Sequence, residues 1–293
     1  MKKGARLMRP VKIFTDSTAD LSIELRKQYN ISLIPLYVTI GGQTYRDQID
    51  IDTSKLYELV DEVGELPKTA APSTQDFINS FKPWIDNGND IIFLGISSKL
   101  SATVQSASLA AQELGEDRVR VVDSANLSMG IGLMAIKAAQ WASEGLGSEE
   151  IYRKLMNMTP RVRTSFIIDT LKFLHMGGRC SSLELIAGTV LKIRPQIIVR
   201  EGSLQVADKH RGKKMKTMDV FYDNFVKANQ NIETDIIAIA HSADPSSAEY
   251  LENKILESGL KFNNIYVVEA GTVISSHCGP GTVGVLFIEK ENM

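Results

Sequence analysis

Three hydroxyl-rich stretches stand where a strand meets a helix, and their residue types and spacing suggest chemistry. Ser97-Ser98-Lys99-Leu100-Ser101-Ala102-Thr103 follows an apolar run, Lys68-Thr69-Ala70-Ala71-Pro72-Ser73-Thr74 precedes a helix, and Asp16-Ser17-Thr18 closes the first strand. Unpaired N–H groups at a helix start carry partial positive charge, so added hydroxyls make a cradle for a carboxylate or phosphate. One N-cap explains one hydroxyl; several at a single strand end exceed what a cap requires. In an open α/β sheet, ligands lie beyond the strand carboxyl ends, so Thr69 is expected to face Ser98. A fourth stretch, Ser275-Ser276-His277-Cys278-Gly279-Pro280-Gly281, reads as a flexible polar loop in which His277 could contact an anion.

Other chemistries fit less well. Gly130-Ile131-Gly132-Leu133-Met134-Ala135 has the spacing of a dinucleotide fingerprint. However, six residues separate it from the preceding strand and no ribose-binding acid ends a following one, so these glycines read as helix-packing residues. No phosphate-binding G-x-x-x-x-G-K-[ST] loop and no G-x-S-x-G elbow is present, which leaves a Ser/Cys–His nucleophile poorly supported. Two cysteines, Cys180 and Cys278, make no disulfide framework and fit a reduced compartment; with four histidines, no metal site is expected. The basic features are Gly177-Gly178-Arg179 and the run Lys209-His210-Arg211-Gly212-Lys213-Lys214-Met215-Lys216, either a solvated face or a docking surface for an acidic or phosphate-bearing partner.

The elements that must position these residues follow from composition and pattern. The 293 residues carry 33 Lys+Arg against 35 Asp+Glu, a net charge of −2, which argues against a nucleic-acid binder. Hydrophobic residues at 43% and charged ones at 23% are ordinary globular usage. The length suits one large domain or two moderate ones. Mean hydropathy is −0.07, and no apolar run approaches the ~18 residues of a membrane span. The basic opening to Pro10 lacks the apolar core of a secretory signal, so residues 1–10 are expected to be a disordered lead-in and the location cytoplasmic.

From Val11 onward, short apolar runs alternate with helical patterns, which predicts parallel βαβ units. Strands are expected at Val11–Ser17, Ile31–Ile40, Asp90–Ile96 and Arg118–Val122, with a loop at Leu66–Pro72. The rhythm changes after Gly145, and Thr159-Pro160 marks a boundary: an N-terminal α/β domain over 11–160 and a C-terminal α/β domain over 161–293. The second half reads as a strand at Thr164–Ile168, a helix at Leu183–Leu191, a hairpin turning at Glu201-Gly202, and alternating helices and strands to Ile288.

Taken together, these blocks resemble the DegV family. Asp16-Ser17-Thr18-Ala19-Asp20-Leu21-Ser22 resembles its opening "DSTxDLS", Thr69 to Ser73 its "TSQPS", Ile96 to Thr103 its "SSxLSGT", and His277-Cys278-Gly279-Pro280-Gly281 its terminal "HxGPG". Ile34-Pro35-Leu36, Val122-Asp123-Ser124 with Gly130, Gly177-Gly178-Arg179 and Lys209-His210-Arg211 match further blocks, in family order over about residues 11 to 288. Ala70-Ala71, Lys99, Ala102 and Cys180 depart from the family pattern. The resemblance implies a two-domain fold with a Rossmann-like N-terminal parallel sheet, a second α/β domain, and a ligand tunnel between them.

It implies a carrier rather than an enzyme, with no catalytic residue, metal or cofactor. Like the FakB-type members, it would present a long-chain fatty acid to a separate ATP-dependent fatty acid kinase subunit, which makes an acyl phosphate for phospholipid synthesis. By the same resemblance, Thr69 and Ser98 should bond the carboxylate, with Ser97, Ser101 and His277 nearby, and Arg179 and Arg211 should engage the kinase. The expected partners are the fatty acid, that kinase and, transiently, a membrane, but no nucleic acid. The alternative is an α/β enzyme acting on a small phosphorylated or nucleotide ligand at the same strand ends.

Overall fold

A computed structural model describes residues 9–180 and 193–291. The expected lead-in falls mostly outside them, but its last two residues are fixed. Arg9 Nη1 donates to Asp90 Oδ1 at 3.2 Å, and Asp90 N donates to the Pro10 carbonyl at 2.9 Å.

β1 (Val11–Asp16), α1 (Ile23–Gln28) and β2 (Ile31–Ile34) open the chain, with β1 and β2 parallel. The expected single strand Ile31–Ile40 is broken at Pro35, which has no N–H to give a ladder. The remainder forms β3 (Tyr37–Ile40), which turns through Gly41 and Gly42, both at positive φ, into β4 (Gln43–Arg46). α2 (Thr53–Val63) starts on Asp52, whose side chain accepts from Lys55 N. Within the expected loop lies a short strand, β5 (Lys68–Ala70), because β3 has a free edge to pair with.

α3 (Thr74–Asp86) opens on a reciprocal cap between Ser73 and Asp76. β6 (Asp90–Gly95) is buried along its whole length, as its continuous apolar run requires. α4 (Thr103–Leu114), β7 (Val119–Asp123), α5 (Met129–Ser143) and α6 (Ser148–Met158) complete the first half.

The second half runs β8 (Val162–Ile167), α7 (Leu171–Gly177), β9 (Ile193–Arg200), β10 (Ser203–Arg211), α8 (Lys214–Tyr222), β11 (Ile232–Ser242), α9 (Pro245–Glu257), β12 (Asn264–Glu269), α10 (Thr272–Cys278) and β13 (Thr282–Glu289). The helix expected at Leu183–Leu191 lies outside the described residues.

Three sheets result. Strands β2-β1-β6-β7 form a parallel sheet, β4-β3-β5 an antiparallel one, and β10-β9-β8-β13-β11-β12 a six-stranded sheet in which only β11 and β12 run parallel. The first two use residues before 124 and the third residues from 162 on. Between them, α5 is buried on nearly every side, from Met129 through Ala139. One apolar cluster joins Ile13 and Leu94 of the first sheet to Ile236 and Leu286 of the last through Leu133 and Ile136 of α5. The fingerprint-like glycines belong to this packing: a Cβ at Gly132 would come within 2.9 Å of the Ala19 carbonyl.

Candidate functional site

Two cavities adjoin at the seam between the halves. One, with an empty volume of about 750 Å³ partly open to solvent, has Thr69, Ser101, Arg179 and His277 on its wall. The other is lined by Phe166, Leu174, Ala240, Ala270 and Leu286. Leu127, Leu204, Ile274 and His277 line both, so the two cavities share a wall.

Each polar residue arrives on its own element. Thr69 sits on β5, paired with Val38 of β3. Ser101 belongs to the turn between β6 and α4; its Oγ lies 2.8 Å from Thr103 Oγ1 and accepts from Thr103 N at 3.3 Å. Arg179 follows Gly178, the left-handed residue that ends α7, and its Nη1 donates to the Gly177 carbonyl at 2.6 Å.

His277 is in the last turn of α10, not in a flexible loop as its glycine neighbours suggested. The loop reading fails because Thr272–Cys278 closes a helix before Gly279 (φ +77) releases the chain.

His277 Nε2 lies 2.8 Å from Thr69 Oγ1. Its Nδ1 is buried without a partner, under Gly177, where any Cβ would collide with it. A buried acceptor without a partner is tolerated more often than a buried N–H. That favours the tautomer with the proton on Nε2, donating to Thr69 and leaving the Thr69 hydroxyl proton free to donate onward. Burial, and then the Arg179 charge, lowers the His277 pKa to about 4, so the ring is neutral near pH 7.

Two expected contributors stand elsewhere. Ser97 is buried, and its Oγ donates to the Gly202 carbonyl at 2.7 Å, tying the β9–β10 turn to the first sheet. Ser98 is exposed, and its Oγ donates to Asp123 Oδ2 at 2.5 Å. Arg211 ends β10, exposed, in register with Ile193 and away from both cavity walls.

Although the inner cavity wall includes several polar residues, their hydroxyls are committed elsewhere. Ser128 donates to Asp20, Thr164 to Asn126, Ser165 to the Ile197 carbonyl, and Thr282 to the Cys278 carbonyl. The wall is therefore carbon-lined in effect. Burial pushes the Cys278 thiol up to about 12, which removes it as a nucleophile at neutral pH.

The sequence reading missed the residues that hold α10. Its N-cap, Gly271, has no capping side chain of its own. Asp20 Oδ1 accepts from Gly271 N at 2.8 Å, and Asp47 Oδ1 accepts from Thr272 N at 2.7 Å and Thr272 Oγ1 at 2.6 Å. Asp16 does similar work on the facing wall, where Oδ2 accepts from Ile96 N at 2.8 Å. Asp16 and Asp20 lay within a recognised block, but nothing near Asp47 in sequence signals its partner 225 residues away.

Among the described residues, no helix is long and apolar enough to cross a membrane, and no group of three or more His, Cys, Asp or Glu residues could hold a metal ion.

The chain matches the DegV family, described as uncharacterised proteins, over residues 10–290. It is 32% identical over 283 residues to a DegV domain-containing protein of Caldanaerobacter subterraneus subsp. tengcongensis, covering 97% of this chain and 100% of that one. A DegV family protein from Thermus thermophilus, described as binding fatty acid, has 34% identity and a TM-score of 0.90, covering 97% and 100% of the two chains. DegV from Bacillus subtilis, described as a fatty acid binding protein, has 28% identity and a TM-score of 0.82 over 97% and 100%.

Proposed function

The chain belongs to the DegV family, and on that premise we propose that it is a fatty-acid carrier that holds a long acyl chain in its inner cavity and the carboxylate in the outer one. The observation that carries this reading is that a cavity bearing Thr69, Ser101 and His277 shares the wall of Leu127, Leu204 and Ile274 with an apolar one. A sixteen-carbon chain buried at about 0.8 kcal/mol per CH₂ gains on the order of 10 kcal/mol gross, enough for tight binding after the cost of association. The fatty-acid binding described for the Thermus thermophilus and Bacillus subtilis relatives supports the same ligand class.

The carrier hands its ligand to a separate ATP-dependent kinase. A carboxylate oxygen attacks the γ-phosphorus of ATP in line, the new O–P bond forms as the bond to ADP breaks, and an acyl phosphate results. Such transfer depends mainly on positioning and electrostatics. Hydroxyl donors leave the carboxylate less neutralised than a bidentate arginine would, which suits a nucleophile. In this division of labour the chain supplies position and the kinase supplies nucleotide. Arg179 and Arg211 are the residues we assign to kinase engagement, the cytoplasm is the working compartment, and the ligand is drawn from brief contact with a membrane surface.

Native mass spectrometry of the purified protein is expected to reveal a co-purified fatty acid. Lipid-free protein that also fails to bind oleate and palmitate would overturn the carrier reading. Arg211→Ala should spare fatty-acid binding and impair phosphorylation by the kinase; loss of lipid binding in that variant would refute the docking assignment.

A further inference from the structure

α10 is a seven-residue helix whose own sequence offers no cap, yet it delivers His277 to within 2.8 Å of Thr69. Its first N–H groups are taken by two carboxylates from the far end of the chain, Asp20 at a separation of 251 residues and Asp47 at 225. Both are buried, at 2% and 0% exposure. Asp20 adopts a left-handed conformation (φ +52) to reach Gly271, and its second oxygen accepts from Ser128 Oγ at 2.5 Å. Gly271 is needed at the joint, since a Cβ there would come within 3.0 Å of Asp47 Oδ1 and 2.8 Å of Gln48 Nε2.

An apolar residue at either position would leave a buried N–H at the start of α10 without a partner, so the two carboxylates fix where that helix begins. The neighbouring charged and titratable groups are Asp16, Arg26 and the Cys278 thiol. Only Arg26 carries opposite charge, and burial raises the pKa of both carboxyls. Two side chains from α2 bond carbonyls of this segment, Thr53 Oγ1 on Ala270 and the Tyr57 hydroxyl on Ser275. Those contacts leave the N–H groups to the two acids.

We propose that Asp20 and Asp47 are positioning residues of the head-group site: capping α10 from the other half of the chain, they set where His277 meets Thr69. The proposal rests on the carrier reading for its ligand, but its first readout needs none.

Asp47→Asn keeps the shape but replaces the carboxylate with a neutral amide, which weakens the charge-assisted bonds that Thr272 N and Oγ1 donate to Oδ1. In the ligand-free variant, proton NMR of the imidazole rings should show the His277 midpoint rising from about 4 by about one pH unit, as a loosened α10 admits water. Oleate affinity should fall about tenfold. A folded Asp47→Asn with a lower melting temperature but wild-type values in either readout would make the acids mere structural clamps and overturn the proposal.

Failure of the wild type to bind oleate would sink the carrier reading, and the His277 titration would still decide this one. Should Asp47→Asn not fold, Thr272→Val removes one donor to Asp47 and keeps the backbone N–H. It should shift both readouts in the same direction, the affinity by about threefold. An unshifted His277 midpoint in that variant would likewise overturn the proposal.

Discussion

Replacing Thr69 by valine isolates the hydroxyl on which the head-group reading turns. Valine matches threonine in volume and favours strands, so β5 should keep its pairing with β3. Two interactions disappear. The bond to His277 Nε2 at 2.8 Å joins neutral partners and contributes about 1 kcal/mol to stability, a small loss in melting temperature. The proposed bond to the ligand is charge-assisted, and its loss costs about 1.5–3 kcal/mol, or about 10- to 150-fold in the dissociation constant. His277 cannot compensate by charge. With a midpoint near 4, about one ring in a thousand is protonated in the free protein at pH 7. The assay is displacement of a fluorescent fatty acid by oleate, with oleyl alcohol as a ligand of equal chain length and no carboxylate. The variant should lose affinity for the acid and change by less than about threefold for the alcohol. Oleate binding within about twofold of wild type, or equal losses for acid and alcohol, would refute the assignment of Thr69 to the carboxylate.

Ile274→Trp, placed in the wall the two cavities share, should block the acyl chain there and weaken palmitate by more than about tenfold while octanoate, accommodated by the outer cavity, loses less; equal losses would break the link between the cavities and chain length. Arg179→Gln removes the secondary cause of His277's low pKa, so the NMR midpoint should rise from about 4 yet stay below the usual 6.5, because burial persists; an unmoved midpoint would show that the arginine's charge is not felt there. Asp16, raised to about 6 chiefly by burial, binds its proton more tightly folded than unfolded, so its contribution favours folding in acid and fades as pH climbs from about 4 to about 6. Between pH 7 and pH 5, wild type should therefore gain about 1 kcal/mol relative to Asp16→Asn in thermal or denaturant unfolding; a difference independent of pH would contradict the raised value.

Much of this architecture could be read from local pattern. The runs at Val11, Asp90 and Val119 are strands because fully apolar stretches bounded by turns have few other uses, and the stretch ending at Ser73-Thr74 precedes a helix as its hydroxyls suggest. Thr69 and His277, 208 residues apart, were linked by family resemblance, and the structure brings them together. What was hidden depends on distant partners. Ser97 looked free until Gly202 arrived 105 residues later, and Asp123 takes the Ser98 hydroxyl from another strand end. β5 pairs with an open edge of β3, and α10 starts on carboxylates from the other half of the chain. Periodicity records which face of an element is apolar; it does not record which side chain from the other half will complete that element.

The burial of α5 bears on how the chain can be divided. Ten of its residues are sealed between sheets drawn from opposite halves, and its one lysine, Lys137, is answered by Glu233 and Asp235 of the later half. A cut at the Gly145 turn would leave the first fragment with that helix stripped of one neighbour and the second with an uncovered sheet face. Each fully buried leucine, isoleucine or methionine exposed this way forfeits about 1.5–3 kcal/mol. Each fragment made alone is expected to aggregate, and recovery of either as a soluble monomer would contradict this. The seam that holds both cavities thus also makes each half of the chain depend on the other.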